Sequence, residues 1–134
     1  MKDKSLILHI GSPKTGTTSI QGFLQQNSPS LTDVGINYVR AGRGNISHNG
    51  MMRQIKRRQL NDISTEIANE VESNPANIHI LSSEMFFRPG VAQILGDVLS
   101  DDLRKNTRVV CYIRRQDKYL EAMYKQLVKN GRVE

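Results

Sequence analysis

The chain has 134 residues, a formal charge of +6 and 37% hydrophobic residues, which is typical of one domain with its own core. No apolar run approaches the roughly 20 residues that a membrane-spanning helix needs. Met1–Ile10 does not resemble a secretion signal, and a single cysteine excludes an internal disulfide framework and a cysteine-based zinc site. We therefore expect one cytoplasmic domain, residues 1–134, whose positive charge favours an anionic ligand of unspecified type.

The first predicted elements are a strand and a helix on either side of a glycine-containing turn. Ser5–Ile10 is a short apolar run that Gly-Ser-Pro follows, and this pattern predicts a buried strand. Thr18–Gln26 predicts a helix whose apolar residues share one face. These residues are Ile20, Phe23 and Leu24.

The middle of the chain is predicted to hold loops, a short strand and a helix. Asn27–Gly35 contains proline, aspartate and glycine and is predicted to be a loop, whereas Ile36–Arg40 is predicted to be a short strand. Ala41–Gly50 is polar and glycine-rich, which predicts a mobile loop. An amphipathic helix ending near Asn74 is predicted from apolar residues that recur every four positions, Ile63, Ile67 and Val71.

Two further strands are predicted, each followed by a helix. Ile78–Ser82 and Arg108–Ile113 are short apolar runs, and the second is rich in β-branched residues. The apolar spacing in Val91–Leu99 and in Leu120–Val128 predicts helices. We expect Cys111 to be a small buried residue of its strand.

The alternation of strands and helices predicts an α/β fold. Right-handed crossovers then give a parallel sheet with helices on both faces, in three layers. Ligands of such sheets bind outside the carboxyl ends of the strands. Polar residues follow three of the predicted strands, beginning at Gly11, Ser82 and Arg114, so we expect the functional site where these ends meet.

The turn after the first strand has the features of an anion-binding loop. Backbone amides at a helix N-terminus attract anions, Gly11 and Gly16 allow close approach, and Lys14 supplies a cation. The glycine spacing matches the nucleotide-triphosphate loop G-x-x-x-x-G-K-[ST], but Thr17 occupies the lysine position. A loop that grips nucleotide phosphates with a lysine after its second glycine is therefore not what this sequence predicts.

The segment SPKTGTTSIQ resembles the 5′-phosphosulfate loop of sulfotransferases, whose usual form is PK[ST]GT[ST]. These enzymes transfer a sulfuryl group from 3′-phosphoadenosine-5′-phosphosulfate (PAPS) to a hydroxyl or amine. The resemblance implies a P-loop nucleotide-hydrolase-like core, with Lys14 at the bridging oxygen of the donor. It also implies that the donor is bound by the loop residues Ser12, Pro13, Lys14, Thr15, Gly16, Thr17 and Thr18.

A second segment, VVCYIRRQDKYLEAMYKQ, resembles the part of the same family that binds the donor's 3′-phosphate. The family pattern has an arginine at the strand end and a serine eight residues later. The resemblance implies that Arg114 binds the 3′-phosphate, which suits an arginine fork. The serine position is Ala122 here, so one hydroxyl contact is missing, and Arg115 is the neighbouring residue that could compensate.

Two residues compete for the role of general base. Glu84 is the carboxylate that follows the middle strand, where the family often has an acid–base residue, and its alternative role is to cap a turn or pair with a cation. His48 lies in the glycine-rich loop, which we interpret as a lid near the acceptor. His9 and His79 lie within predicted strands and are assigned no chemistry.

A basic run follows the glycine-rich loop. It comprises Arg53, Lys56, Arg57 and Arg58. Such a run is most often a solvated helix face, and its functional alternative is to line a groove for an acidic acceptor. The sequence has no aromatic pattern or zinc-finger spacing that would indicate nucleic-acid binding.

These observations favour a PAPS-dependent sulfotransferase with PAPS, and its product PAP (3′-phosphoadenosine-5′-phosphate), as co-substrate and with no metal site. Two alternatives stay open: a P-loop phosphotransferase or NTPase, and a non-catalytic PAP-binding or anion-binding module. The acceptor could be a small molecule or a carbohydrate, no membrane partner is expected, and the oligomeric state is open, a homo-oligomer included. Family members have longer chains, which implies an N-terminal part or a truncated relative.

Overall fold

The computed structural model describes residues 3–56 and 60–132. Its strands are β1 (Ser5–His9), β2 (Ile36–Tyr38), β3 (Ile78–Ser82) and β4 (Thr107–Val110), and they form one sheet in the order β2-β3-β1-β4. Every strand pair in this sheet is parallel. The predicted α/β class with a parallel sheet flanked by helices is therefore confirmed, with β1 between β3 and β4.

The helices occupy the connections between the strands. They are α1 (Thr17–Gln26), α2 (Ser28–Asp33), α3 (Met51–Lys56), α4 (Leu60–Ser73), α5 (Val91–Val98), α6 (Asp101–Lys105) and α7 (Gln116–Lys129), with a 3-10 helix at Glu84–Phe87. The predicted amphipathic helix is confirmed as α4, whose buried residues are Ile63, Ile67 and Val71. None of the helices in the described ranges is both long and apolar enough to span a membrane.

The strand order creates a crevice at the carboxyl ends of β1 and β3. The connection from β1 to β2 passes over β3, and the connection from β3 to β4 passes over β1 in the opposite direction. Because parallel crossovers are right-handed, connections that run in opposite directions lie on opposite faces of the sheet. Consistent with this, α1 contacts α2, whereas α4 contacts α3 and α5. Ligands of open parallel sheets bind at such a change of direction.

Three local predictions are wrong or incomplete. Asn27–Gly35 contains helix α2 rather than only a loop, because Pro29 falls in the first turn, where its missing amide hydrogen costs nothing. Helix α6 was not predicted, and Ser100 caps it by accepting a hydrogen bond from the Leu103 amide. In α1 the buried side chains are Thr17, Gln21 and Leu24, and Phe23 is exposed.

The last strand and helix lie outside the core of the described domain. β4 is an edge strand that pairs with β1, and it ends at Val110 rather than Ile113. Cys111 is exposed, so the prediction that it is buried is wrong. Helix α7 has no buried residue, although it carries apolar side chains at helical spacing. The physical reason is that β4 lies at the end of the sheet and α7 is not enclosed by the other elements.

Candidate functional site

The loop between β1 and α1 is held in a turn that only glycine fits well. Gly11 has φ +106°, and a Cβ atom there would lie 3.3 Å from the Cα of Glu84. The loop backbone is also tied to the chain beyond β4, because the Ser12 amide donates to the Tyr112 carbonyl (2.8 Å) and the Tyr112 amide donates to the Gly11 carbonyl (2.7 Å). The loop is therefore fixed between the ends of β3 and β4.

A run of unpaired backbone amides follows in this loop. Gly16 has φ +82° and directly precedes helix α1. Within the described ranges, the amides of residues 14–18 donate to no protein acceptor. Unpaired amides at a helix N-terminus carry partial positive charge and form a concave anion-binding surface. The geometry can therefore hold a phosphate or sulfate group at this corner.

Two cations from distant parts of the chain meet at this corner. Lys14 and Arg114 line the same cleft, which has a volume of about 520 Å³ and also contains Gly16 and Thr18. Nη1 of Arg114 donates a 2.7 Å hydrogen bond to the carbonyl oxygen of Lys14. A guanidinium has five N–H donors, so Arg114 fixes the loop and keeps further donors for an anion.

Glu84 also lines the cleft and is held by the loop. It follows Ser83, whose hydroxyl caps the 3-10 helix by accepting from the Met85 amide. The hydroxyl of Thr17 donates to Oε2 of Glu84 at 3.0 Å. The Thr17 hydroxyl is therefore committed to this carboxylate, and the backbone amide of Thr17 is the donor of this residue that is left for a ligand. The structure brings Lys14, Arg114 and Glu84 to one cleft, as the sequence predicts.

His48 is not available to an acceptor, so the expectation that it is a candidate general base in a lid near the acceptor is wrong. Its side chain is fully buried. Its Nε2 lies 2.9 Å from the Val39 carbonyl, and its Nδ1 lies 3.1 Å from the Ser82 amide. These partners fit the neutral ring, with Nε2–H donating and Nδ1 accepting. Burial lowers the pKa of His48 to about 4, so the ring is a structural clamp between the loop and β3.

The other predicted donor residues are not all at the cleft. The guanidinium of Arg115 forms a bidentate pair with Asp117, with both distances 2.7 Å, and Arg115 is not among the residues that line the cleft. This pair holds the pKa of the Asp117 carboxyl below its usual range. Pro13 lines the cleft, whereas Ser12 lines a neighbouring groove beside Arg114. The hydroxyl of Thr15 donates to the Ser12 carbonyl and so braces the loop itself.

Two cleft residues on α7 were not predicted from the sequence. Met123 and Gln126 line the cleft together with Arg114. Among the described residues, the Oε1 atom of Gln126 is buried without a hydrogen-bond partner. Gln126 follows Ala122 by one helical turn, which puts both on one face of α7. The donor that can replace the serine hydroxyl of the family pattern is Nε2 of Gln126, since Oε1 is an acceptor. Helical spacing from Ala122 is the signal that would have found it.

His9 and His79 are buried in the sheet, as expected. Nδ1 of His9 lies 2.7 Å from the hydroxyl of Ser82, and Gln21 donates to that same hydroxyl at 3.0 Å. Burial lowers the pKa of both histidines. The buried polar side chains of α1, Thr17 and Gln21, therefore form a polar layer beneath the cleft with Ser82. This layer fixes α1 on the carboxyl ends of β1 and β3.

The basic run divides at the end of α3. Arg53 is exposed and lines a separate cavity next to the 3-10 helix. Arg57 and Arg58 lie outside the described residues, as does the side chain of Lys56. The expectation of a solvated helix face therefore concerns only Arg53 in the described part of the chain.

Comparison with known proteins found no protein-family profile, curated protein or solved structure that matches this chain.

Proposed function

We propose that this protein binds PAPS and transfers its sulfuryl group to a hydroxyl or amine acceptor. The observation that carries the proposal is the run of unpaired amides at residues 14–18, which shares one cleft with Lys14 and Arg114. An anion held by several amides and two cations suits a donor that has a phosphosulfate and a second phosphate. The proposal extends the fold to a P-loop-type sulfotransferase core.

The loop and Lys14 act on the phosphosulfate end of the donor. The amides bind the 5′-phosphate, and Lys14 places its ammonium group at the oxygen that bridges phosphorus and sulfur. When the S–O bond to this oxygen breaks, negative charge grows on the departing phosphate. Lys14 and the amides stabilise that charge, and stabilisation of developing charge by fixed donors is usually a large part of catalysis.

Arg114 and Gln126 act on the 3′-phosphate end. Arg114 uses one N–H to hold the Lys14 carbonyl, and its remaining donors can form charge-assisted hydrogen bonds with a phosphate. Gln126 supplies the neutral donor that the family pattern assigns to a serine. Because Arg114 is bonded to the loop, binding at one phosphate site orders the other.

Glu84 is the general base of the proposed reaction. Its carboxylate takes the proton from the acceptor hydroxyl as the acceptor oxygen forms a bond to sulfur and PAP leaves. Thr17 orients the carboxylate through the 3.0 Å hydrogen bond to Oε2. Oε1 stays available to the acceptor, since no protein donor in the described ranges bonds it.

PAP is expected to bind this protein at concentrations at which ADP does not, because PAP has a 3′-phosphate that Arg114 can bind and ADP has none. Isothermal titration calorimetry of the full chain with PAP, ADP, sulfate and ATP, each with and without Mg²⁺, measures this difference. A preference for ATP that requires Mg²⁺ would favour the phosphotransferase alternative and contradict the proposal. PAP binding without any release of PAP from PAPS would identify a binding module.

A pair of neighbouring arginines provides a matched control for the PAP measurement. Arg114→Gln is expected to weaken PAP binding about 10- to 100-fold, since hydrogen bonds to charged groups contribute about 1.5–3 kcal/mol. Arg115→Gln removes the same charge one residue later, but that side chain is paired with Asp117 outside the cleft. Arg115→Gln is expected to leave the affinity for PAP within about twofold of wild type, because an exposed ion pair outside the cleft contributes little to binding. Equal effects of the two substitutions would refute the site assignment.

Glu84→Gln is expected to lower PAPS turnover about 100-fold, because loss of a general base typically costs at least that much. Release of PAP from PAPS, with water or added 4-nitrophenol as acceptor, is the measurement. PAP affinity should change little, since glutamine keeps an oxygen for the Thr17 hydroxyl. Asp97→Asn, at an exposed position on α5, is the control for loss of one carboxylate. Unchanged turnover in Glu84→Gln would remove Glu84 from the mechanism.

A further inference from the structure

We infer that the cavity between α3, the 3-10 helix and α5 binds the acceptor, and that this acceptor carries an anionic group on an apolar body. The inference rests on the proposed function, because it assigns this cavity to the second substrate. Its evidence is separate from the donor cleft and comes from the lining of the cavity, its charge and its position next to Glu84.

The cavity has a volume of about 370 Å³ and an apolar wall. Met52 of α3 and Met85 of the 3-10 helix line it, and Val91 and Ile94 add the first turn of α5. A volume of this order suits a small organic molecule. Methionine side chains adapt to irregular apolar shapes, so the wall favours an aromatic or aliphatic body rather than a sugar.

Two arginines give the cavity its charge. Arg53 and Arg88 belong to the lining, and the described lining contains no carboxylate. Within residues 3–56 and 60–132, neither guanidinium forms a salt bridge or a side-chain hydrogen bond. Both side chains are exposed, so their N–H donors are open to a ligand, and a carboxylate or sulfate accepts two N–H donors from an arginine. The cavity is therefore complementary to an anionic group.

The 3-10 helix joins this cavity to the donor cleft. Glu84, the first residue of the 3-10 helix, lines the cleft, and Met85, the second, lines the cavity. Arg88 directly follows the last residue of this helix and also lines the cavity. At about 2 Å of rise per residue, Glu84 and Arg88 are about 8 Å apart along the helix. The hydroxyl of Ser83, the residue before this helix, donates to Oδ1 of Asn49 at 2.6 Å. Asn49 lines the cavity, so this bond fixes the glycine-rich loop to the start of the 3-10 helix. A molecule with its anion at Arg88 can therefore extend a hydroxyl towards Glu84.

The matched probes for this inference are 4-hydroxyphenylacetate and its neutral amide, 4-hydroxyphenylacetamide. Methionine methyl groups labelled with ¹³C can report on the two sites separately. Met52 and Met85 line the acceptor cavity, Met123 lines the donor cleft, and Met51 is fully buried in the core. We expect the carboxylate to shift the Met52 and Met85 signals, PAP to shift Met123, and neither to shift Met51.

The charge of the cavity is tested by substitution. The carboxylate is expected to bind at least tenfold more tightly than the amide, and Arg53→Gln with Arg88→Gln should abolish this difference while PAP still shifts Met123. Arg108→Gln, at an exposed position on the edge strand β4, removes a charge elsewhere. It should change neither the affinity for the carboxylate nor the affinity for the amide. Equal affinities for acid and amide, or a carboxylate that shifts Met123 alone, would overturn the inference.

The two proposals fail in different ways. If PAP shifts Met123 but the carboxylate leaves Met52 and Met85 unchanged, the acceptor site is wrong and donor binding stands. If the carboxylate shifts Met52 and Met85 but PAP binds nowhere, the anion site is supported and its role as an acceptor site is overturned together with the proposed function.

Discussion

Lys14→Asn is expected to lower the rate of PAPS turnover about 100- to 1,000-fold. In the proposed reaction the ammonium group of Lys14 stabilises the charge that grows on the departing phosphate, and removal of one such donor typically costs this much. Affinity for PAP should fall far less, because the loop amides and Arg114 remain. The measurement is single-turnover release of PAP from PAPS together with PAP affinity by calorimetry.

The choice of asparagine follows from the backbone at this position. Lys14 has φ +64°, a left-handed conformation that most residues adopt only at a cost and that asparagine tolerates. Alanine at this site would combine loss of the charge with added backbone strain, so its effect would be ambiguous. Lys14→Arg keeps the charge and changes its shape, and it should retain more activity than Lys14→Asn.

Two outcomes would contradict the role of Lys14. Equal rates in Lys14→Asn and wild type would show that the ammonium group does not take part in the transfer. Equal losses of PAP affinity and turnover would mean that Lys14 only helps to bind the donor, since loss of an interaction made only in the transition state lowers the rate and leaves ground-state binding intact.

Periodicity predicted the elements that the core requires. Ile63, Ile67 and Val71 form one stripe because α4 packs against the core along its length. The predicted bounds of Ile78–Ser82 agree with β3 because a buried strand has abrupt polar ends. Asn27–Gly35 was misassigned because α2 buries none of its residues, so no apolar pattern indicated a helix. Cys111 was misassigned because the pattern of a buried strand does not say whether the sheet continues beyond it.

The candidate site could be predicted where it depends on local geometry, and not where it depends on tertiary contacts. The spacing from Gly11 to Gly16 predicts an anion-binding turn, and the turn has the expected unpaired amides. His48 is misplaced in the sequence-based prediction because its ring is fully buried and forms hydrogen bonds with the backbones of Val39 and Ser82, which lie at the carboxyl ends of β2 and β3. Arg115 is the exception, because its partner is local: the guanidinium pairs with the carboxylate of Asp117, two residues later, and the sequence alone does not show which of these two anions, ligand or carboxylate, it binds.

The stability of this protein is expected to fall by about 3 kcal/mol between pH 6.5 and pH 4 because of His48 alone. The folded state lowers the pKa of this ring from 6.5 to about 4, and each tenfold loss of proton affinity corresponds to about 1.4 kcal/mol. Between these two values the unfolded chain binds a proton that the folded chain does not, so unfolding becomes easier as the pH falls. Above about pH 7.5 the ring is neutral in both states and contributes no pH dependence.

His48→Gln isolates this contribution. A glutamine side chain can donate to the Val39 carbonyl and accept from the Ser82 amide, but it cannot take up the proton. Urea unfolding at several pH values between 4.5 and 7.5 should give a shallower loss of stability in His48→Gln than in wild type, while the two proteins differ by a constant amount above pH 7. His9 and His79, whose pKa values burial also lowers, remain in both proteins and cancel in the comparison.

A direct titration covers the case in which His48→Gln does not fold. In the folded wild-type protein, the ring ¹³C–¹H signal of His48 should keep its neutral position down to about pH 5, because burial removes the water that would solvate the charged ring and so lowers its pKa to about 4. A midpoint near 6.5 would mean that the ring is solvated in solution. It would then contradict the clamp between the glycine-rich loop and β3 and return His48 to the surface as a base for the acceptor.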